Sequence, residues 1–383
     1  MNILIVYPRL IKKNDDFYYL PLGIAYISAS LKSANKHVVS LNLNQKENNV
    51  FEALKDTILA ENIDVVLTGG LSGEYRKIKE VVTAVKSINE NLPVVVGGGI
   101  ISSEPIIAME ALGADIGVIG EGEITIVELI NRLESKQDIS DVDGIIYKNG
   151  RDYITTKPRK NVTDISTIPW PDYEGFGYDL YLDNISKIVD SRYVQMIASR
   201  SCPYSCTFCY HPIGKIYRQR SLDDFFSELD FMLSRYNIEY LNISDELFSL
   251  DRNRTVEFCR RIKERVDRSK FSWDIQIRVD HVNTELLTML KDSGCRLISY
   301  GIESADDTVL KSMKKNITLK QIEKALDLTH KAHIQIQGNF IFGDEAETWT
   351  TAHNTLEWWK KHPEYQINLT YLKVYPGTPL YLS

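Results

Sequence analysis

Short aliphatic runs alternate along the chain with stretches in which apolar side chains recur every three or four positions. The first pattern marks buried strands and the second amphipathic helices. Over the first 135 residues the runs at 2–7, 37–43, 63–68, 93–97 and 115–119 predict strands. The periodic stretches near 21–34, 50–61, 73–90, 103–111 and 123–135 predict the helices between and after them. Successive β–α units of this kind build an α/β fold, here a doubly wound, flavodoxin-like parallel sheet over residues 1–140. Glycines mark three strand ends: Thr68-Gly69-Gly70, Gly97-Gly98-Gly99 and Gly120-Glu121-Gly122. Each reads as a tight turn. Three at the edge where such sheets bind ligands point to a surface that a flat or bulky group approaches.

Residues 141–188 break the pattern. Asn149-Gly150 between two alternating segments predicts a type I′ hairpin, and Ile168-Pro169-Trp170-Pro171 follows as an irregular, structured linker. From 189 the alternation returns. Strands are predicted at 194–200, 238–244, 272–278, 296–301, 334–341 and 366–374, with helices such as 221–235, 251–267, 318–331 and 345–361 between them. Six such units over 189–383 make a partial (β/α)6 barrel, whose chemistry belongs at the carboxyl ends of its strands. The chain stops just past the sixth strand, so a truncated C-terminus or another cover for the barrel mouth is expected.

Composition adds little to this picture. The 383 residues are 43% hydrophobic and 25% charged, ordinary for a globular protein. A net charge of −7 disfavours a nucleic-acid partner. No apolar run reaches transmembrane length and no basic leader precedes the first strand, so a cytoplasmic location is expected.

Cysteine usage changes the picture more. Of five cysteines, three fall in one loop after the first barrel strand: Cys202, Cys206 and Cys209, spaced C-x3-C-x2-C. Three thiolates from one loop suit three corners of a [4Fe–4S] cube and leave the fourth iron open. A zinc-stabilised binding module is the competing reading, with His211 as fourth ligand. Cys259 and Cys295 read as buried small hydrophobes, and the Tyr18-Tyr19 and Trp358-Trp359 pairs as packing.

With Phe208 as its aromatic position, Cys202-x3-Cys206-x-Phe208-Cys209 resembles the signature of radical S-adenosylmethionine (SAM) enzymes. Asp245-Glu246-Leu247-Phe248, Arg278-Val279-Asp280, Gly301-Ile302-Glu303-Ser304, Gly338-Asn339-Phe340-Ile341-Phe342-Gly343 and Tyr375-Pro376-Gly377-Thr378-Pro379 fit the same family in order. The N-terminal segments Pro21-Leu22-Gly23-Ile24-Ala25-Tyr26, Val96-Gly97-Gly98-Gly99 and Gly120-Glu121-Gly122-Glu123 are similar to the cobalamin-binding domain of one large subclass.

The resemblance implies three cofactors: a [4Fe–4S] cluster on Cys202, Cys206 and Cys209, SAM, and cobalamin. It implies SAM contacts from Phe208 (adenine), Glu303 (ribose), Arg278 (methionine carboxylate), Asp245 or Glu246 (amino group), and Gly338 with Asn339 (backbone to adenine). Arg278 has an alternative as an internal ion pair with Asp245, Glu246 or Asp280. Cobalamin contacts would come from Thr68, Gly69, Gly97, Gly98, Gly99, Gly120, Glu121 and Gly122. The implied activity is reductive cleavage of SAM to a 5′-deoxyadenosyl radical, and methylation of an unactivated carbon. A cyclase, rearrangement or oxidative enzyme of the same subclass is the alternative. A flavodoxin- or ferredoxin-type electron donor and a small-molecule or peptide substrate would be its partners.

Two departures matter. No histidine lies between Tyr7 and Leu20, where some cobalamin domains carry a lower-axial ligand, so bound cobalamin would lack that imidazole. The turn after the fifth barrel strand, Asp344-Glu345-Ala346-Glu347-Thr348, is acidic where the family commonly has Pro-Gly.

Overall fold

The computed structural model describes residues 1–11 and 17–383. Part of the loop after the first strand, the segment without histidine, therefore lies outside the described residues. The chain divides into two compact units, Met1–Thr163 with Thr167–Asp190 and Asp164–Ser166 with Ser191–Ser383.

The first unit is built on β1 (Asn2–Tyr7), β2 (His37–Asn42), β3 (Val65–Gly69), β4 (Val94–Gly97) and β5 (Ile116–Val118). These pair in parallel in the order β2-β1-β3-β4-β5, the flavodoxin-like winding, with its switch point between β1 and β3. Ile3-Leu4-Ile5-Val6 and Val65-Val66-Leu67 are buried on both faces, as central parallel strands must be. Two helices follow β4, a short one at Gly99–Ser103 and then Pro105–Leu112, which is the helix expected at 103–111. Pro105 starts the second because its missing N–H is tolerated only in a first turn.

The expected linker is not separate from this unit. β6 (Ile145–Asn149) pairs antiparallel with β5, and β7 (Asp152–Thr155) follows it, so the hairpin extends the sheet. Its turn also differs from the expected type I′. Asn149 pairs with Asp152, and only Gly150 of the two loop residues takes a positive φ, 66°. Glycine at the first central position is the type II′ arrangement. The helix Tyr178–Val189 belongs to the same unit, where Tyr181 packs edge-on against Tyr18 at 5.3 Å.

The second unit holds β8 (Tyr193–Met196), the short β9 (Ser199–Arg200) and β10 (Arg218–Gln219), then β11 (Tyr240–Ile243), β12 (Ser272–Ile277), β13 (Cys295–Glu303), β14 (Gln335–Phe342) and β15 (Gln366–Tyr371). Six strands form one parallel sheet in chain order, β8-β11-β12-β13-β14-β15. Sequential order with helical crossovers is the winding of a β/α barrel, here left open between β15 and β8. Phe225, Phe226, Phe248, Phe258 and Trp273 interlock beneath the sheet at ring separations of 5.0 to 6.3 Å. β9 and β10 pair antiparallel and close the base of the cysteine loop.

Candidate active site at the cysteine loop

The loop leaves the sheet just after β8, and Asp245 at the end of β11 fixes its start. One carboxylate oxygen accepts the backbone N–H groups of Ala198 and Ser199 at 2.7 and 2.9 Å, and the other accepts the Ser199 hydroxyl at 2.6 Å. Burial pushes the Asp245 pKa up to about 6 against these hydrogen bonds. Asp245 therefore holds the strand exit, and its oxygens are already engaged rather than presented to an amino group. Ser201, just before Cys202, takes a left-handed φ of 70°. Strained backbone of this kind persists only where its surroundings enforce it.

All five cysteines are free thiols. Cys206 is buried, and Cys202 and Cys209 are half-buried. The Cys209 thiol, with help from Lys315 and Arg278, lowers the Cys206 pKa, and the Cys206 thiol raises that of Cys209. Burial raises Cys202. Among the described residues no three His, Cys, Asp or Glu side chains converge on one ion, as a zinc site requires. A cube asks only one thiolate per iron, and adjacent cations suit its anionic thiolate shell. His211 keeps both ring nitrogens buried without a hydrogen-bond partner, and burial lowers its pKa.

Arg278 stacks on the ring of Tyr204, inside the cysteine loop, at 3.7 Å. Its guanidinium also binds both oxygens of Asp280, at 2.9 and 3.0 Å, and the Lys315 carbonyl at 3.0 Å. Of the two readings for this residue, the internal ion pair is present, with Asp280. The Tyr204 hydroxyl meets His281 Nε2 at 2.8 Å, and the other ring nitrogen faces the Ser249 hydroxyl at 3.3 Å. The loop is thus clamped from the ends of β11 and β12.

Glu303 ends β13 at a register shift and takes a positive φ of 66°. Its buried carboxylate pairs with Lys315 Nζ at 2.6 Å. A Cβ on Gly301 would lie 2.4 Å from Glu303 Oε1 and 2.7 Å from Lys315 Nζ, so glycine leaves room for the pair. Lys315 also faces the half-buried ring of Phe208 at 5.8 Å. Sequence reasoning missed Lys315, because Lys314-Lys315 after a helix reads as a solvated face.

Two other expected SAM residues have internal roles. A Cβ on Gly338 would lie 2.6 Å from both Ile302 and Ile367, which is a packing demand. The Asn339 amide donates to Ser299 Oγ and the Tyr300 carbonyl and accepts from Asn368, bridging β13, β14 and β15.

In the first unit the glycines gather at the carboxyl edge beside the β1/β3 switch point. A Cβ on Gly69 would lie 2.4 Å from the Gly97 carbonyl, and one on Gly98 would lie 2.7 Å from that of Gly70. Crowding between these turns explains their identity. Gly99 begins the short helix after β4, Thr68 bonds the Val6 carbonyl at 3.0 Å, Glu121 accepts the Val162 N–H at 2.9 Å, and Gly122 abuts Ile27. Gly120, at φ 77°, has no atom within 4 Å of an added Cβ. Backbone-to-backbone packing along Gly69, Gly70 and Gly98 keeps this edge low, which suits a broad planar ring.

Comparison with known proteins agrees with both halves. The B12 binding domain family matches residues 8–130, and the Radical SAM superfamily matches residues 196–358. An uncharacterized methyltransferase of Pyrococcus horikoshii is 29% identical over 100% of this chain and 82% of its own length. An anaerobic magnesium-protoporphyrin IX monomethyl ester cyclase of Cereibacter sphaeroides is 25% identical over 94% of this chain, which spans 60% of that enzyme. The fold is that of TsrM, a radical SAM methyltransferase of Kitasatospora setae solved with cobalamin and a [4Fe–4S] cluster. The TM-score is 0.83 at 18% identity, over 99% of this chain and 74% of TsrM.

Proposed function

We propose that this chain, a member of the radical SAM enzymes that carry an N-terminal B12 binding domain, with a [4Fe–4S] cluster, SAM and cobalamin as cofactors, methylates an unactivated carbon. The observation that carries this reading is the cysteine loop itself, hung from the first strand of an open β/α sheet and clamped beside a buried Lys315–Glu303 pair, downstream of a flavodoxin-order unit. When bound, the cluster and SAM supply the 5′-deoxyadenosyl radical, and cobalamin the methyl group.

The chain's own residues bind and orient. Cys202, Cys206 and Cys209 ligate three irons. The Arg278–Tyr204 stack and the Tyr204–His281 bond keep the loop in place. Glu303 offers two acceptor oxygens, suited to a ribose diol, and Lys315 donates to one of them. Phe208 gives a flat apolar face to the adenine. Thr68, Gly69, Gly97, Gly98, Gly99, Gly120, Glu121 and Gly122 form the cobalamin edge. Among the described residues no helix is long and apolar enough to cross a membrane. A cytoplasmic setting, a flavodoxin- or ferredoxin-type donor and a small-molecule or peptide substrate complete the reading.

The relationship to the cyclase supports a second reading, radical cyclisation without methyl transfer. Anaerobic reconstitution with iron, sulfide and hydroxocobalamin, followed by incubation with SAM, reductant and candidate substrates, separates the two. Release of 5′-deoxyadenosine with a product heavier by one methylene supports methylation. A product lighter by two hydrogens supports the second reading, and no cobalamin retention overturns the first.

A further inference from the structure

Lys315 sits where a lysine is costly to place. It is only 8% exposed, on a turn whose flanking residues, Lys314 and Asn316, both take left-handed φ values of 50° and 55°. Neither neighbour is glycine, so the turn is held in a conformation that side chains disfavour. The consequence of the bend is to drive one ammonium inward. A buried, unpaired ammonium is strongly disfavoured, and here the Glu303 carboxylate at 2.6 Å compensates it.

The same turn is tied to the cysteine loop at three points. The N–H of Thr207, between Cys206 and Cys209, donates to the Met313 carbonyl at 3.0 Å. The Lys315 carbonyl accepts from Arg278, which stacks on Tyr204. The Lys315 ammonium lies 5.8 Å from the Phe208 ring centroid. Phe208 is the residue directly before Cys209.

The Lys315 ammonium meets the Glu303 carboxylate at 2.6 Å and faces the Phe208 ring, next to Cys209, at 5.8 Å. Burial pulls the Lys315 pKa down, but Glu303 and Cys206 outweigh it and keep the ammonium protonated.

We propose that Lys315 is a charge partner of the cysteine loop that sets the reduction potential of the cluster bound there. The step concerned is the one-electron reduction of the cluster, with the electron coming from an external low-potential donor. Added negative charge on the cluster is stabilised by a fixed cation across low-dielectric protein. Glu303 has a second role in this arrangement, because its carboxylate screens that cation. The inference rests on the cluster assignment above, and it goes beyond it by giving Lys315 a role that touches neither SAM nor iron.

Removing Lys315 alone would leave the buried Glu303 carboxylate without its partner, so the test is run in the Glu303→Gln background. There the ammonium is the only charge that changes. Cluster iron and sulfide are measured first on anaerobically reconstituted full chain. Failure to bind a cluster in the wild type sinks the cluster assignment and is thereby told apart from failure of the present idea. The potential is then read by dithionite titration followed by electron paramagnetic resonance, without SAM or substrate. The Glu303→Gln protein should be reduced more easily than wild type. Lys315→Met/Glu303→Gln should lie at least tenfold lower in its reduction equilibrium than Glu303→Gln, about 59 mV for a one-electron couple. Lys315→Arg/Glu303→Gln keeps the charge and should follow Glu303→Gln. Equal potentials in the Met and Arg double variants overturn the proposal, and so does a Met variant that folds by circular dichroism but differs from the Arg variant only in cluster content.

Discussion

Replacing Asp245 with alanine strands the buried N–H groups of Ala198 and Ser199 that its oxygen now accepts. Each lost partner costs about 1–3 kcal/mol, and the loop loses its starting point. Asp245→Ala should therefore bind a small fraction of wild-type iron after reconstitution, while Asp245→Asn, which keeps one carbonyl oxygen for both donors, should bind nearly all of it. Acid titration adds a second expectation. The folded pKa of about 6 lies above the ordinary 3.8, so the stability Asp245 contributes is full below 3.8 and lost as pH rises through 6. Denaturant unfolding of cluster-free protein should show wild type gaining on Asp245→Asn as pH falls from 7 to 4. Motif spacing singles out the three cysteines as candidates in the sequence, and the family resemblance adds Phe208 and Glu303. Lys315 is not legible there, because its burial is decided by two left-handed residues and by a partner twelve positions away. The internal duties of Asp245, Asn339 and Gly338 are hidden for the same reason: each depends on a neighbouring strand.

Most strands and helices follow the hydrophobic pattern to within a residue or two, since burial on parallel strands leaves a continuous aliphatic signature, but the first and sixth barrel strands end earlier than expected, at Met196 and Tyr371. The pattern fails where backbone chemistry decides. Pro105 starts one helix two residues later than expected, and a one-residue difference in pairing changes the turn at Gly150. The link between β4 and its helix depends on Gly98, at φ 87° with the Gly70 carbonyl 2.7 Å from where a Cβ would sit. Gly98→Ala should destabilise the first unit by about 1–3 kcal/mol, read as a lower midpoint in urea unfolding.

Two compact units mean two separate cores. Damage to the cysteine loop should then leave the first unit's ligand edge intact. Cys209→Ala should lose cluster iron yet retain cobalamin at wild-type stoichiometry after reconstitution and gel filtration. Loss of both would show that the two loads depend on each other. At this scale the sequence is most readable, because β–α alternation and a shift in motif type announce both windings. The fate of residues 141–188 is not readable, because a hairpin joins a sheet through backbone bonds that leave no trace in side-chain pattern.

The cysteine loop is stitched into the second unit by backbone bonds. β9 pairs with β10 at its base, Thr207 binds Met313, and the Leu380 N–H binds the Thr207 carbonyl at 3.0 Å. Ordering a free loop costs about 1–2 kcal/mol per residue, and these backbone bonds offset part of that cost. Three stretches far apart in sequence converge on the loop, so its shape is a property of the whole second unit rather than of the motif alone.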